Sequence, residues 1–174
     1  MNLPNKLTLL RILLIPLFLG VLYADISHAK PIALAIFLLA SATDWLDGFL
    51  ARRLRLITDF GKFADPLADK MLVTAAMLWN VQTGLMPAWI VLVVICREFA
   101  VSGLRMMAAS KGIVLAAAFS GKIKTAATML CLCLYFLPEF FNGEWIVCNW
   151  IILLTTLYSG VEYFTKNRKL IASC

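Results

Sequence analysis

Four aspartates, Asp44, Asp47, Asp65 and Asp69, lie within or at the edges of long apolar runs, as do Lys70, Arg97 and Glu98. An ionisable group at the centre of a bilayer costs about 2.5–3.5 kcal/mol even on the mildest scale, so such groups face a bundle interior or a wet cavity and mark function by default. Asp44 and Asp47 are spaced i, i+3, with Gly48 and Arg52 continuing the same helical face; Asp65 and Asp69 are spaced i, i+4. Carboxylates without histidine or thiolate partners form a hard oxygen site that suits Mg²⁺ or Mn²⁺ and not zinc or copper. Mg²⁺ held by a few carboxylates completes its shell with phosphate oxygens, which points to phosphoryl or phosphatidyl transfer. The competing explanation is a set of structural ion pairs, such as Asp69 with Arg97. Four like charges in two segments fit that poorly.

The elements that must position these residues follow from composition. Of 174 residues, 62% are apolar and 15% charged, and mean hydropathy is +0.88. Soluble domains are about half apolar and about a quarter charged. Disorder is excluded and a small soluble body nearly so. The expectation is an all-α polytopic membrane bundle. At roughly 20 residues per span, about six spans fill the chain as a single domain over residues 1–174, leaving no separate soluble domain. Breakers and charges place them near Leu7–Tyr23, Ile32–Ala51, Lys62–Val81, Pro87–Leu104, Lys122–Leu137 and Trp145–Phe164, with a start for the fifth among the alanines before Lys122 left open. Pro31 and Pro87 suit first-turn positions; Gly84, Pro138 and Asn142-Gly143 suit turns. The first run, without a small-residue cleavage site after it, reads as a retained helix and not a signal peptide.

Net charge is +6. In such a chain this reports topology and anionic lipid, not nucleic acid. With a cytoplasmic N-terminus, the inner segments carry Lys6, Arg11, Arg52, Arg53, Arg55, Lys62, Arg105, Lys111, Lys122, Lys124, Lys166, Arg168 and Lys169, and the outer loops only Lys30. That bias puts both termini in the cytoplasm. At about 1.5 Å per residue, Asp44, Asp69 and Arg97 each fall roughly 12 Å below the inner surface, and Asp47 and Asp65 roughly 8 and 6 Å. The charges of three spans then share one slab, with an active site open to the cytoplasm. Trp89, Trp145 and Trp150 read as interfacial anchors. Thr155, Thr156, Ser159 and Gly160 read as a packing surface. Cys96, Cys131, Cys133, Cys148 and Cys174 form no C-x-x-C pair and, with one His, no zinc site.

Taken together, Asp44-x-x-Asp47-Gly48-x-x-Ala51-Arg52, eight residues, then Gly61-x-x-x-Asp65-x-x-x-Asp69 resembles the full signature of the CDP-alcohol phosphatidyltransferases at every position and spacing. The amino-terminal Pro4-Asn5-x-x-Thr8-x-x-Arg11 is similar to the stretch before that family's first span. The resemblance implies that Asp44, Asp47, Asp65 and Asp69 bind two divalent cations, Mg²⁺ or Mn²⁺, and that Asp69 is also the general base. It implies that Gly48, Ala51, Arg52 and Thr58, with Asn5 and Thr8, hold the CDP moiety of CDP-diacylglycerol; Gly61 lets the substrate approach the backbone.

Arg97-Glu98 with Arg105, and Gly121-Lys122-x-Lys124-Thr125, resemble the members whose acceptor is sn-glycerol 3-phosphate. The implied products are phosphatidylglycerol phosphate and CMP, made by a homodimer in a bacterial cell membrane. Arg97, Arg105 and Lys122 would clasp the acceptor phosphate; the alternative for Arg97 is a pairing with Glu98 or an aspartate. Rival readings keep the chemistry with inositol phosphate or serine as acceptor, or make the acidic cluster the path of a small cation transporter, or make the chain a non-catalytic membrane scaffold.

Overall fold

Long runs of Leu, Ile, Ala and Met favour helix, and the computed structural model is helical accordingly. It describes residues 3–24, 26–54, 59–113, 115–116, 118–137 and 145–168, with side chains described from residue 8 onward except those of 44–54, 59–66 and 69. Among the described residues there are six α-helices and no strand: α1 (Leu3–Tyr23), α2 (Ala29–Leu54), α3 (Asp59–Gln82), α4 (Ala88–Ser110), α5 (Phe119–Tyr135) and α6 (Trp145–Lys166). Each expected segment coincides with one helix. Among the described residues α6 is long and apolar enough to cross a bilayer by length and composition; Thr8–Tyr23 and Ala29–Thr43 are shorter apolar stretches.

The boundaries differ from the sequence expectation at identifiable places. Pro87 is not inside the first turn of α4. It is the residue before it, with φ −68° and ψ 135°. Its fixed φ suits that position, and its carbonyl accepts from the Ile90 amide at 3.1 Å. α4 runs past Leu104 to Ser110, because Met106, Met107, Ala108 and Ala109 are good helix formers. It stops at Gly112, whose φ of +73° only glycine adopts cheaply. There the Ile113 amide reaches back to the Ala108 carbonyl at 2.9 Å. α5 begins three residues before Lys122, at Phe119. Gly84, with φ +75°, makes the turn between α3 and α4. Pro138 and Asn142-Gly143 lie outside the described residues.

The chain divides into two compact units, Met1–Gln82 with Leu132–Asn142, and Thr83–Cys131 with Gly143–Cys174. In the first, α1 packs along α2 and α3, and α2 touches α3. The buried stripes keep a helical period: Leu14, Phe18 and Leu22 on α1; Ala33, Phe37 and Ala40 on α2; Ala68, Leu72, Ala76 and Trp79 on α3. Phe136 meets Phe18 edge-on at 5.5 Å and Trp79 at 5.7 Å, and Phe18 lies 6.0 Å from Phe37. Edge-on and tilted rings avoid the repulsion of face-to-face stacking. Phe18 is fully buried, so Phe18→Ala should cost about 3–5 kcal/mol through the cavity it leaves, seen as earlier thermal unfolding in detergent.

In the second unit α4 packs against α6. The buried side of α6 carries Cys148, Ile152, Thr156, Ser159, Gly160 and Tyr163. Small residues there let backbones approach, as lipid-embedded helices require. Trp150, Leu154, Leu157, Tyr158 and Val161 leave the other side of α6 exposed and apolar, which suits contact with acyl chains. Of the three tryptophans read as anchors, Trp89 and Trp150 are exposed and Trp145 is half-buried. Asn149 is buried and donates to the Leu85 carbonyl at 2.9 Å.

Candidate active site

Asp44 and Asp47 stand three residues apart on helical backbone in the later part of α2, and Asp65 and Asp69 four apart on helical backbone early in α3. The two helices are neighbours in one unit. Their side chains lie outside the described set, as do those of Asn5, Gly48, Ala51, Arg52 and Gly61; Thr58 lies outside the described residues altogether. Just before the first acidic pair, Thr43 is buried and its hydroxyl donates to the Ala40 carbonyl at 2.7 Å. Inside the second, Ala68 is buried. On α1, Thr8 is buried, and Arg11 one turn later is fully buried. The sequence counts Arg11 as an inner-side charge and as the end of the amino-terminal stretch; its burial is marked there by its place three residues after Thr8 in an apolar run. Oxygen donors two to a helix on neighbouring helices fit a hard divalent cation and no softer metal. Among the described side chains no three of His, Cys, Asp and Glu come together.

The basic residues belong to the second unit. Arg97 lies part-way along α4, largely buried, and its Nη1 donates to Glu98 Oε1 at 2.9 Å. That pairing is the alternative the sequence allowed for Arg97, and it has a third member. Lys124 of α5 is buried, and its Nζ donates to the same Glu98 oxygen at 2.9 Å. Lys122 is exposed. Two residues turn an α-helix by about 200°, so Lys122 and Lys124 cannot share a side of α5. Gly121, Lys124 and Thr128 can, and the latter two are buried. The helical period thus carried the signal that separates the two lysines.

Arg105, two turns beyond Arg97, has its Nε donating to the Tyr163 hydroxyl at 3.1 Å, with its guanidinium 5.5 Å from that ring's centre. A guanidinium on a tyrosine keeps its remaining donors for an anion. Below it, Tyr163 packs with Val101 and Leu104. Arg97 itself runs past two glycines: a Cβ at Gly121 would lie 3.6 Å from Nη2, and one at Gly160 3.4 Å from Cγ.

The model of the CDP-alcohol phosphatidyltransferase family matches residues 1–160. The chain belongs to this family. Among its relatives is the CDP-diacylglycerol–glycerol-3-phosphate 3-phosphatidyltransferase of Bacillus subtilis, 46% identical over 95% of this chain and 95% of that protein. Proteins of the same name from Pseudomonas fluorescens and Rickettsia felis are 40% and 34% identical, over 94% and 97% of this chain and 88% and 96% of their own lengths. Membership brings the family's general dependence on a divalent cation.

Proposed function

We propose that this chain transfers the phosphatidyl group of CDP-diacylglycerol to sn-glycerol 3-phosphate, releasing CMP and forming phosphatidylglycerol phosphate. One observation carries the reading: the whole acidic signature stands on α2 and α3 of a chain 46% identical, almost end to end, to the Bacillus subtilis protein of that name. The enzyme is a single six-span domain of a bacterial cell membrane, with both termini and the active site on the cytoplasmic side, as the distribution of Lys and Arg supports. It works as a homodimer, after the habit of its family.

The acceptor hydroxyl attacks the phosphorus that bears diacylglycerol. The bond from that phosphorus to the oxygen bridging to CMP breaks, and its electron pair leaves with CMP. The hydroxyl proton passes to Asp69 as the new bond forms. Two Mg²⁺ or Mn²⁺ ions held by Asp44, Asp47, Asp65 and Asp69 would supply neutralisation of the diphosphate charge. Arg52 offers a forked donor to phosphate or cytidine oxygens, with Asn5, Thr8, Gly48, Ala51, Thr58 and Gly61 around the nucleotide. Arg97 and Arg105 receive the phosphate of the acceptor; Lys122, exposed on a different side of α5 from the buried Lys124, meets it from the solvent side. No serine or cysteine nucleophile is required, since attack is direct.

Purified protein given CDP-diacylglycerol should release CMP with sn-glycerol 3-phosphate and not with serine or inositol phosphate; release with only one of the latter two would overturn the acceptor assignment. In the same assay Arg97→Ala should raise KM for the acceptor by about 10–100-fold, the cost of one lost charged hydrogen bond or two. KM for CDP-diacylglycerol should stay nearly unchanged.

A further inference from the structure

Arg97, Glu98 and Lys124 make an unusual part-buried trio. A structural ion pair needs one cation for one carboxylate. Here a single oxygen, Glu98 Oε1, accepts from both Arg97 Nη1 and Lys124 Nζ at 2.9 Å, with the Arg97 and Lys124 side chains only 13% and 5% exposed. The trio therefore carries a net positive charge where the surroundings screen it little. The cations come from different helices, α4 and α5, and the carboxylate joins them. The backbone shapes the rest of the slot, with Gly121 beside Nη2 and Gly160 beside Cγ. Arg97 Nε is buried without a hydrogen-bond partner, a donor still available to an incoming oxygen.

We infer that Glu98 is a positioning residue for acceptor recognition: it holds Arg97 and Lys124 together as a preset pair of cations for a phosphate monoester dianion. The inference rests on the reading of Arg97 as an acceptor-phosphate residue, and it adds Lys124 to that clasp. Both side chains have several rotatable bonds, and each would lose that freedom on binding if it were not already held. A carboxylate that fixes both in advance lowers that cost. Arg97 then keeps Nε, and Lys124 its remaining ammonium hydrogens, for the ligand.

The test uses the full-length protein in detergent or lipid, with Glu98→Gln and Glu98→Asp. Gln keeps the size and an accepting oxygen but loses the charge that draws two cations to one point. Glu98→Gln should raise KM for sn-glycerol 3-phosphate by about 10-fold and weaken competitive inhibition by inorganic phosphate in parallel. KM for CDP-diacylglycerol and kcat should stay within about 2-fold, and Glu98→Asp should recover part of the loss. An unchanged acceptor KM in Glu98→Gln would overturn the inference. So would a lowered one, since the carboxylate would then be competing with phosphate. Equal rises in both KM values, with earlier unfolding, would reduce Glu98 to a structural role and overturn it too. If Glu98→Gln does not fold, Glu98→Asp decides by the same criterion: a selective acceptor effect supports the inference, and a uniform or absent one overturns it. Arg97→Ala run alongside separates the two levels. If it leaves the acceptor KM unchanged, the acceptor-site reading itself fails. If it raises KM while Glu98→Gln does not, only the role of Glu98 fails.

Discussion

Replacing Asp69 by Asn is expected to lower kcat for CMP release by about 10²–10⁴-fold, the range typical of a lost general base. The substitution keeps the size and the shape of the side chain and removes its capacity to accept a proton at neutral pH. Asp69 follows Ala68, which is fully buried, and lies three residues before Leu72, which is also buried on α3. A volume-conserving change beside such packing leaves α3 in place. The expected signature is therefore a fall in kcat with the thermal unfolding of the protein little changed. In the proposed site Asp69→Asn would also weaken one cation donor, so raising Mg²⁺ or Mn²⁺ should recover only part of the loss. An enzyme at full rate with Asn at 69 would remove the assigned base, and full recovery at high cation concentration would assign Asp69 to cation binding alone.

Stripping divalent cations with a chelator is expected to lower CMP release by at least about 10³-fold, since several kcal/mol of charge stabilisation are lost and each 1.36 kcal/mol is a factor of ten. Adding Mg²⁺ or Mn²⁺ back should restore it. The physical basis is the density of negative charge. Asp44, Asp47, Asp65 and Asp69 stand on two neighbouring helices, and the diphosphate of the donor substrate adds more of the same sign. Without cations the four carboxylates of the proposed site repel the substrate. Chelation should therefore weaken binding of CDP-diacylglycerol as well as turnover. Its effect on the acceptor's own phosphate should be small, since the proposed clasp of Arg97 and Lys124 uses no metal. Activity undiminished by chelation would exclude the divalent site.

Much of this was legible without coordinates. The apolar runs, interrupted by Gly84 and by the charged stretches near Arg52 and Lys111, marked six helices that the structure forms, with ends moved by a few residues. Those ends moved for local reasons. Met106 to Ala109 extend α4 past the charge of Arg105, and a hydropathy reading ends a segment at a charge where the backbone has no cause to stop. Gly112, the residue that does stop it, is marked by backbone conformation and not by polarity. The acidic signature was legible for another reason: its spacings of three and four are local, and a helix alone brings such neighbours together.

The basic cluster was the harder part. Arg97, Arg105 and Lys122 were grouped by charge and by the resemblance of their stretches, while Glu98 entered as Arg97's neighbour in that stretch and as a competing partner for it. In the fold Lys124 takes the buried place and Lys122 the exposed one. Arg105 rests on Tyr163, 58 residues away in the chain, and Lys124 meets Glu98 from 26 residues away. Composition and local spacing by themselves determined that this is a helical chain with a four-aspartate signature, because helical periodicity and transfer cost act within a few residues of each position. Only the packing of α4, α5 and α6 decided which lysine joins Arg97, because a contact between helices depends on how each is rotated about its axis, and that rotation is set by the shapes of the surfaces that meet.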